Sequence, residues 1–153
     1  MGLVAAHDLT TAFPGLLTPT GVAQLREALL SANYSVNGIA ARLGPEAASG
    51  MARSDYRLAL RMTEDRDRLG TLIRLFICGH TEPEEAVAAA LAPLPLEEAR
   101  AAGLVEPAPM ADGETGLRQG VDLEPYGDNW WVLADVPASV RPGRPLPAEH
   151  VPA

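Results

Sequence analysis

Residues 117–135 read LRQGVDLEPYGDNWWVLAD. In the first half, Leu117, Gln119, Val121 and Leu123 alternate with polar neighbours, the period-two pattern of a strand with one covered face. Tyr126-Gly127-Asp128-Asn129 carries turn chemistry, and Trp130 to Ala134 is a second, apolar run. Strand, turn and strand predict an antiparallel hairpin. Consecutive side chains of a strand point to opposite faces, so Trp130 and Trp131 cannot both face one core. One of them stays outside unless another surface covers it.

Upstream of residue 104 the spacing is helical. Thr18-Pro19 reads as an N-cap followed by a first-turn proline, and Val22, Leu25 and Leu29 continue a helix over 19–32 that Asn33-Tyr34 breaks. Ser35 caps a second helix with Val36, Ile39, Ala40 and Leu43, stopped by Gly44-Pro45. The stretch EAASGMARSDYRLALRM reads as helix with a weak centre at Ser49-Gly50. Thr63 is expected to cap the next helix, whose Leu69, Leu72, Ile73 and Phe76 form an i, i+3, i+4, i+7 stripe and which ends at Gly79 as a C′ residue. Thr81-Glu82-Pro83-Glu84 fits a capping box and predicts a helix over about 83–91. A shorter one, LEEARAAG, follows at 96–103. Leu104-Val105 opens a strand, and 106–116 reads as a loop. Residues 1–18 are expected to form an N-terminal arm, 19–136 one helical domain, and 137–153 a proline-rich tail or linker. The expected fold class is therefore mainly α with a small C-terminal antiparallel β-hairpin or sheet. Helix, turn, helix and hairpin is the order of a winged helix, so the fold is expected to be a helical bundle plus a winged-helix-like module.

Composition narrows the function classes. The chain has 153 residues, is 47% apolar and only 5% aromatic, and carries a net charge of −8. An acidic chain is repelled by nucleic-acid phosphates at long range, so nucleic acid is not an expected partner. One cysteine, Cys78, excludes an internal disulfide and a multi-cysteine zinc site. No run approaches the roughly 20 apolar residues of a membrane span, and the N-terminus lacks the basic start and apolar core of a signal peptide. No membrane association is expected, and a cytoplasmic location is.

Each chemical candidate has a plainer counterpart. Cys78 and His80, beside Glu82, Glu84 and Glu85, form at most a partial metal site; His7 and His150 lie near the chain ends, and a helix end with a capping box accounts for the group. As a nucleophile, Cys78 would sit at a helix C-terminus, whose negative dipole end raises a thiol pKa. Asp122, Glu124, Asp128 and Asp135 could pair carboxylates for acid–base work, but Asp122 and Glu124 share a strand face opposite Val121 and Leu123, as a solvated face does. Gly113, Gly116 and Gly120 precede a strand rather than a helix, so they read as a wing tip and not a phosphate cradle. Arg53, Arg57 and Arg61 share a helix face at i, i+4, i+8; with Arg66, Arg68 and Arg74 among nearby acids, they read as a salt-bridged surface. No strand–glycine loop–helix unit could hold a nucleotide, and no catalytic residue, metal or cofactor is expected in this chain.

Residues 24–44 (QLREALLSANYSVNGIAARLG), 69–79 (LGTLIRLFICG) and 121–135 (VDLEPYGDNWWVLAD) together resemble the N-terminal, winged-helix-like domain of a family of actinobacterial class I S-adenosylmethionine-dependent methyltransferases. That domain carries an LxxLLxLFxLG helix, a DLRPY strand, a turn, a WWVxSD strand and an xDHVLG linker into the catalytic domain. The counterparts here are Leu72 to Gly79, Asp122 to Tyr126, Trp130 to Asp135, and Glu149-His150-Val151. The family's cofactor-binding glycine loop and Asn-Pro-Pro-Tyr-type motif lie further downstream and have no counterpart in these residues. The resemblance therefore implies a non-catalytic accessory or substrate-recognition domain, excised or stand-alone, with no activity by itself. The alternative is a stand-alone binding protein that sequesters a small molecule or a protein. Both readings converge on Trp130, Trp131 and Tyr126, as a surface meeting a methyltransferase catalytic domain or a small aromatic ligand. A homodimer is kept open.

Overall fold

The computed structural model describes residues 2–5, 17–126 and 130–135; the proline-rich stretch 137–153, Asp128, His7 and His150 lie outside the described residues. Helix α1 spans Pro19–Ala32. Thr18 caps it by accepting the Gly21 amide at 3.1 Å, and Asn33 ends it in the left-handed region at φ 60°. Helix α2, Val36–Ala52, is capped by Ser35 and broken inside by Gly44 (φ 82°, ψ 168°), after which Pro45 restarts it. The stop expected at Gly44-Pro45 is thus present as a break in the helical backbone, with a second helical stretch following directly. The weak centre expected at Ser49-Gly50 lies within α2, and the break comes later. Ser54 turns the chain at φ 60°, and the short α3, Arg57–Met62, is a separate element.

Helix α4 is Arg68–Leu72 and runs directly into a π-helical turn, Ile73–Ile77. Its cap is Asp67, whose side chain accepts the Gly70 amide at 2.7 Å. Thr63, expected in that role, instead closes α3 and donates its buried hydroxyl to the Ala59 carbonyl at 2.7 Å. Gly79 follows the turn at φ 67°, the left-handed C′ position expected of it. Helix α5, Glu84–Leu91, starts after Pro83 with no side-chain cap, so the Thr81–Glu84 capping box does not form. Helix α6 is Leu96–Ala101.

Among the described residues five strands complete the fold: β1 (Gly2–Ala5), β2 (Val105–Pro109), β3 (Thr115–Gln119), β4 (Val121–Tyr126) and β5 (Trp130–Asp135). They form two sheets, a β2–β3 hairpin and a three-stranded sheet in the order β1-β5-β4. Much of the segment expected as a loop at 106–116 is therefore strand. The strand expected to run unbroken over 117–125 is cut at Gly120, where the chain passes from one sheet to the other. The reason is steric. A Cβ at Gly120 would lie 2.0 Å from the Gly103 carbonyl oxygen, and the Gly120 amide donates to the Leu104 carbonyl at 2.8 Å, so only glycine permits this crossing.

β4 and β5 pair antiparallel, with Tyr126 opposite Trp130 and Leu123 opposite Leu133. β1 pairs with β5 in parallel, Gly2 opposite Trp130 and Ala5 opposite Leu133. The sheet is mixed rather than purely antiparallel, and four residues placed in the N-terminal arm belong to it. The fold class is mainly α with a small β component. Among the described residues a buried cluster joins α1, α2, the π-helical turn, α5 and strands β2 to β5. Tyr34, at the α1–α2 junction, locks the helical and β parts together: its hydroxyl donates to the Leu123 carbonyl at 2.5 Å, and its own carbonyl accepts from Trp131 Nε1 at 2.6 Å.

Candidate functional site

Strand alternation settles the tryptophan pair. Trp131 is 1% exposed and sits in the core, while Trp130 is 43% exposed and Tyr126, directly across from it, is 73% exposed. The three residues singled out from the sequence therefore divide. Trp131 is structural, anchored through its indole N–H. Trp130 and Tyr126 form an outward aromatic edge at one end of the β4–β5 pair. Behind them on the same face of β4 are Glu124, exposed, and Asp122, half-buried. Burial and then the neighbouring Glu124 charge push the Asp122 carboxyl up to about 6, so it is less solvated than its alternating position suggests. The side chain of Asp135 is outside the described residues.

A second site lies where the sequence suggests only a helix end. Glu82 is completely buried. Its Oε1 accepts from Arg66 Nε at 2.8 Å, and its Oε2 accepts from Arg74 Nε at 3.0 Å and lies 2.6 Å from His80 Nδ1. Several elements position these groups. The π-helical turn carries Arg74, which is 5% exposed and also donates to the Leu60 carbonyl at 2.6 Å. The turn ends with the His80 amide donating to the Arg74 carbonyl at 2.9 Å. Glu82 pairs with Leu117 of β3 through two backbone hydrogen bonds, at 2.8 and 2.9 Å. A Cβ on Gly116 would sit 2.6 Å from the Glu82 carbonyl oxygen, so glycine there lets β3 approach. Arg66 reaches Glu82 from a left-handed backbone at φ 51°. That conformation costs a non-glycine residue about 1 kcal/mol, and asparagine or glycine would adopt it more readily.

This cluster corrects the surface reading of the arginines. Arg66 and Arg74 belong to a partly buried network around one carboxylate. Arg53 and Arg57 fall on different elements and do not share a helix face; Arg53 donates to Ser49 and Arg57 pairs with Asp55 at 2.9 Å in the open. A buried carboxylate is retained as an anion only where paired and hydrogen-bonded, and three partners meet that need. Because an ionised carboxylate only accepts, His80 donates from Nδ1, leaving Nε2 as its second functional atom. Cys78, beside the cluster, is held as a thiol: burial, opposed by Arg74 and reinforced by Glu82, pushes it up to about 11. It is not an activated nucleophile. Among the described residues no group of three or more His, Cys, Asp or Glu is placed to hold a metal ion.

Two members of the network, Arg66 and His80, line a cleft of about 630 Å³ together with Gly79, Thr81, Pro83, Pro109 at the end of β2, and Met110, Ala111 and Asp112 of the β2–β3 turn. A cleft of this size suits a small molecule. Sequence reasoning missed it, although Arg74 inside the apolar run IRLFI is a signal: a cation in a buried stripe requires a buried counter-charge.

Among the described residues no helix is long and apolar enough to cross a membrane. No curated protein and no solved structure matches the chain. Residues 31–117, more than half of its length, match a family model described as a domain of unknown function (DUF7059). The matched segment contains every residue lining the cleft and ends before the aromatic edge, and the chain belongs to this DUF7059 family.

Proposed function

We propose that the chain is a non-catalytic accessory module of a class I S-adenosylmethionine-dependent methyltransferase and that the Tyr126–Trp130 edge is the face it presents to the catalytic domain. The carrying observation is the division of the tryptophan pair: Trp131 is sealed in the core while Trp130 stays 43% exposed beside a 73% exposed tyrosine. In a chain that is 5% aromatic, an aromatic pair outside the core is surface suited to contact with a partner. The paired strands β4 and β5, the part closest to the methyltransferase pattern, carry it. α5, α6 and the following hairpin supply the helix–turn–helix–hairpin order of a winged-helix-like module, and the site of action is the cytoplasm.

Two measurements test the proposal. Residues 1–153 alone give no heat of binding with S-adenosylmethionine. A catalytic domain from an enzyme carrying the DLRPY and WWVxSD strands, fused to or mixed with this chain, lowers acrylamide quenching of Trp130 emission. Cofactor binding by the isolated chain, or quenching unchanged by the catalytic domain, refutes it. The second reading, a stand-alone binder of a small aromatic molecule, rests on the same exposed pair as a stacking platform. It gains if small aromatic compounds quench Trp130 while the catalytic domain leaves it untouched.

A further inference from the structure

We infer that the cleft between the Glu82 network and the β2–β3 turn is a binding site for a small carboxylate or phosphate anion with an apolar body, held by Arg66 and His80. This goes beyond the docking of the aromatic edge, because no residue lining the cleft belongs to β4 or β5.

Charge is the first reason. Arg66 and Arg74 bring two guanidinium charges to the single carboxylate of Glu82, so the cluster keeps one positive charge in excess inside a chain of net charge −8. Arg74 is buried and turned to Leu60 and Thr63. The excess is therefore presented through Arg66, whose side chain is 38% exposed and which lines the cleft. Arg66 uses Nε on Glu82, leaving the paired Nη end, the fork that fits a carboxylate or phosphate. His80, 42% exposed, is fixed through Nδ1 and lines the same cleft.

Preorganisation is the second reason. One fully buried carboxylate orients both ligand-facing side chains, as supporting groups do at built binding sites. Arg66 holds a left-handed backbone that does not suit arginine, and such strain concentrates at functional positions. In the same lining, Pro83, Pro109, Met110 and Ala111 give apolar surface, and the adaptable Met110 suits an irregular apolar body. Asp112 completes the lining; its carboxylate offsets the cluster's excess charge over the cleft as a whole, so the attraction for an anion is local to Arg66 and His80, and a second negative charge on the ligand is disfavoured.

The test is an amide-resolved NMR titration of the full chain at low ionic strength with benzoate, phenyl phosphate and benzyl alcohol. The expected result is saturable shifts at Gly79, His80, Ala111 and Asp112 with one or both anions and none with the alcohol. The better-binding anion identifies the headgroup as carboxylate or phosphate. Arg66→Gln lowers that affinity about tenfold or more, the loss of one charge-assisted contact, and His80→Gln lowers it while keeping an amide that can still reach Glu82. Circular dichroism and the amide spectrum establish that each variant is folded, and each is read independently. Failure of both anions to shift these amides, an equal response to benzyl alcohol, or unchanged affinity in both variants overturns the inference.

Discussion

Glu82→Ala is the most direct perturbation of the fold. It removes three hydrogen-bonded contacts at once, with Arg66, Arg74 and His80 at 2.8, 3.0 and 2.6 Å. The three partners do not suffer equally. Arg66 and His80 are 38% and 42% exposed and can rehydrate. Arg74 is 5% exposed; it keeps Leu60 and Thr63 through Nη1 but loses its only counter-charge among the described residues. Removing one partner of a buried ion pair costs about 3–5 kcal/mol, a large share of the roughly 5–15 kcal/mol that stabilises a domain. At about 2–4 °C per kcal/mol for a chain of this size, the melting temperature falls on the order of 10 °C. Arg74→Met costs less, because Glu82 retains two partners. The Glu82→Leu/Arg74→Met double variant, which removes both buried charges, recovers much of the loss, with a coupling of about 1 kcal/mol or more. Urea denaturation followed by the emission of Trp131, buried in the same core, measures these variants and the Glu82→Leu single variant that closes the cycle. The exposed Arg57–Asp55 pair is the control, and its removal leaves the midpoint within scatter. A Glu82→Ala cost under about 1 kcal/mol, with additive double-variant energies, refutes the assignment of Glu82 as the node of this network.

Three further outcomes follow from the same geometry. Gly116→Ala drives a Cβ to 2.6 Å from the Glu82 carbonyl oxygen and 2.8 Å from Met110; urea midpoints should show a loss of about 1–3 kcal/mol, and a neutral substitution contradicts the close approach of β3. Trp130→Phe removes the quenchable, red-shifted part of the emission and leaves the blue-shifted signal of Trp131, so acrylamide accessibility should collapse; persistent quenching means that Trp131 is not sealed. The Asp122 carboxyl titrates near 6 in the folded chain, raised from 3.8 by burial and then by Glu124. The folded state thus binds the proton more tightly between these values, and stability falls as pH rises from about 4 through 6. Allowing for the solvent that screens this half-exposed group, the loss is about 1 kcal/mol. Asp122→Asn should abolish that slope in pH-resolved denaturation, and an unchanged slope assigns it to other groups.

Local grammar carries much of the helical part. Thr18-Pro19, Asn33 and Ser35 fix α1 and the start of α2, because capping and left-handed termination are decided within four residues. The stripe from Leu69 to Phe76 is legible for the same reason. What the stripe conceals is the π-helical turn: Ile73, Arg74, Leu75 and Phe76 are all buried, so no polar face reports the phase of the helix there. Two features of the β part depend on distant contacts. β1 has no period of its own and is defined by pairing with β5, more than a hundred residues away. Gly120 reads as one residue of an alternating strand until Gly103 is placed against it. The aromatic edge was legible, since alternation alone requires one tryptophan to face outward. Its assignment to Trp130 required knowing which face Tyr34 covers.

Glu82 shows how a site can hide in ordinary sequence. Thr-Glu-Pro-Glu at the head of an alanine-rich helix invites a capping interpretation, and an exposed Glu82 would cost nothing. Its backbone, however, is drawn into a bridge with Leu117, which carries the side chain inward with it. Once inside, the carboxylate must be matched, and the two arginines that match it come from the connection before the Asp67 cap and from the π-helical turn. Such an ionic cluster gains little stability over an apolar replacement of equal volume, while a continuous hydrophobic cluster already spans the fold. The arrangement does fix Arg66 and His80 on one wall of an open cleft, a role no apolar replacement could fill. The balance therefore favours a binding role for the network over a stabilising one, and the Glu82→Leu/Arg74→Met variant separates the two: it should remain folded while losing its affinity for anions.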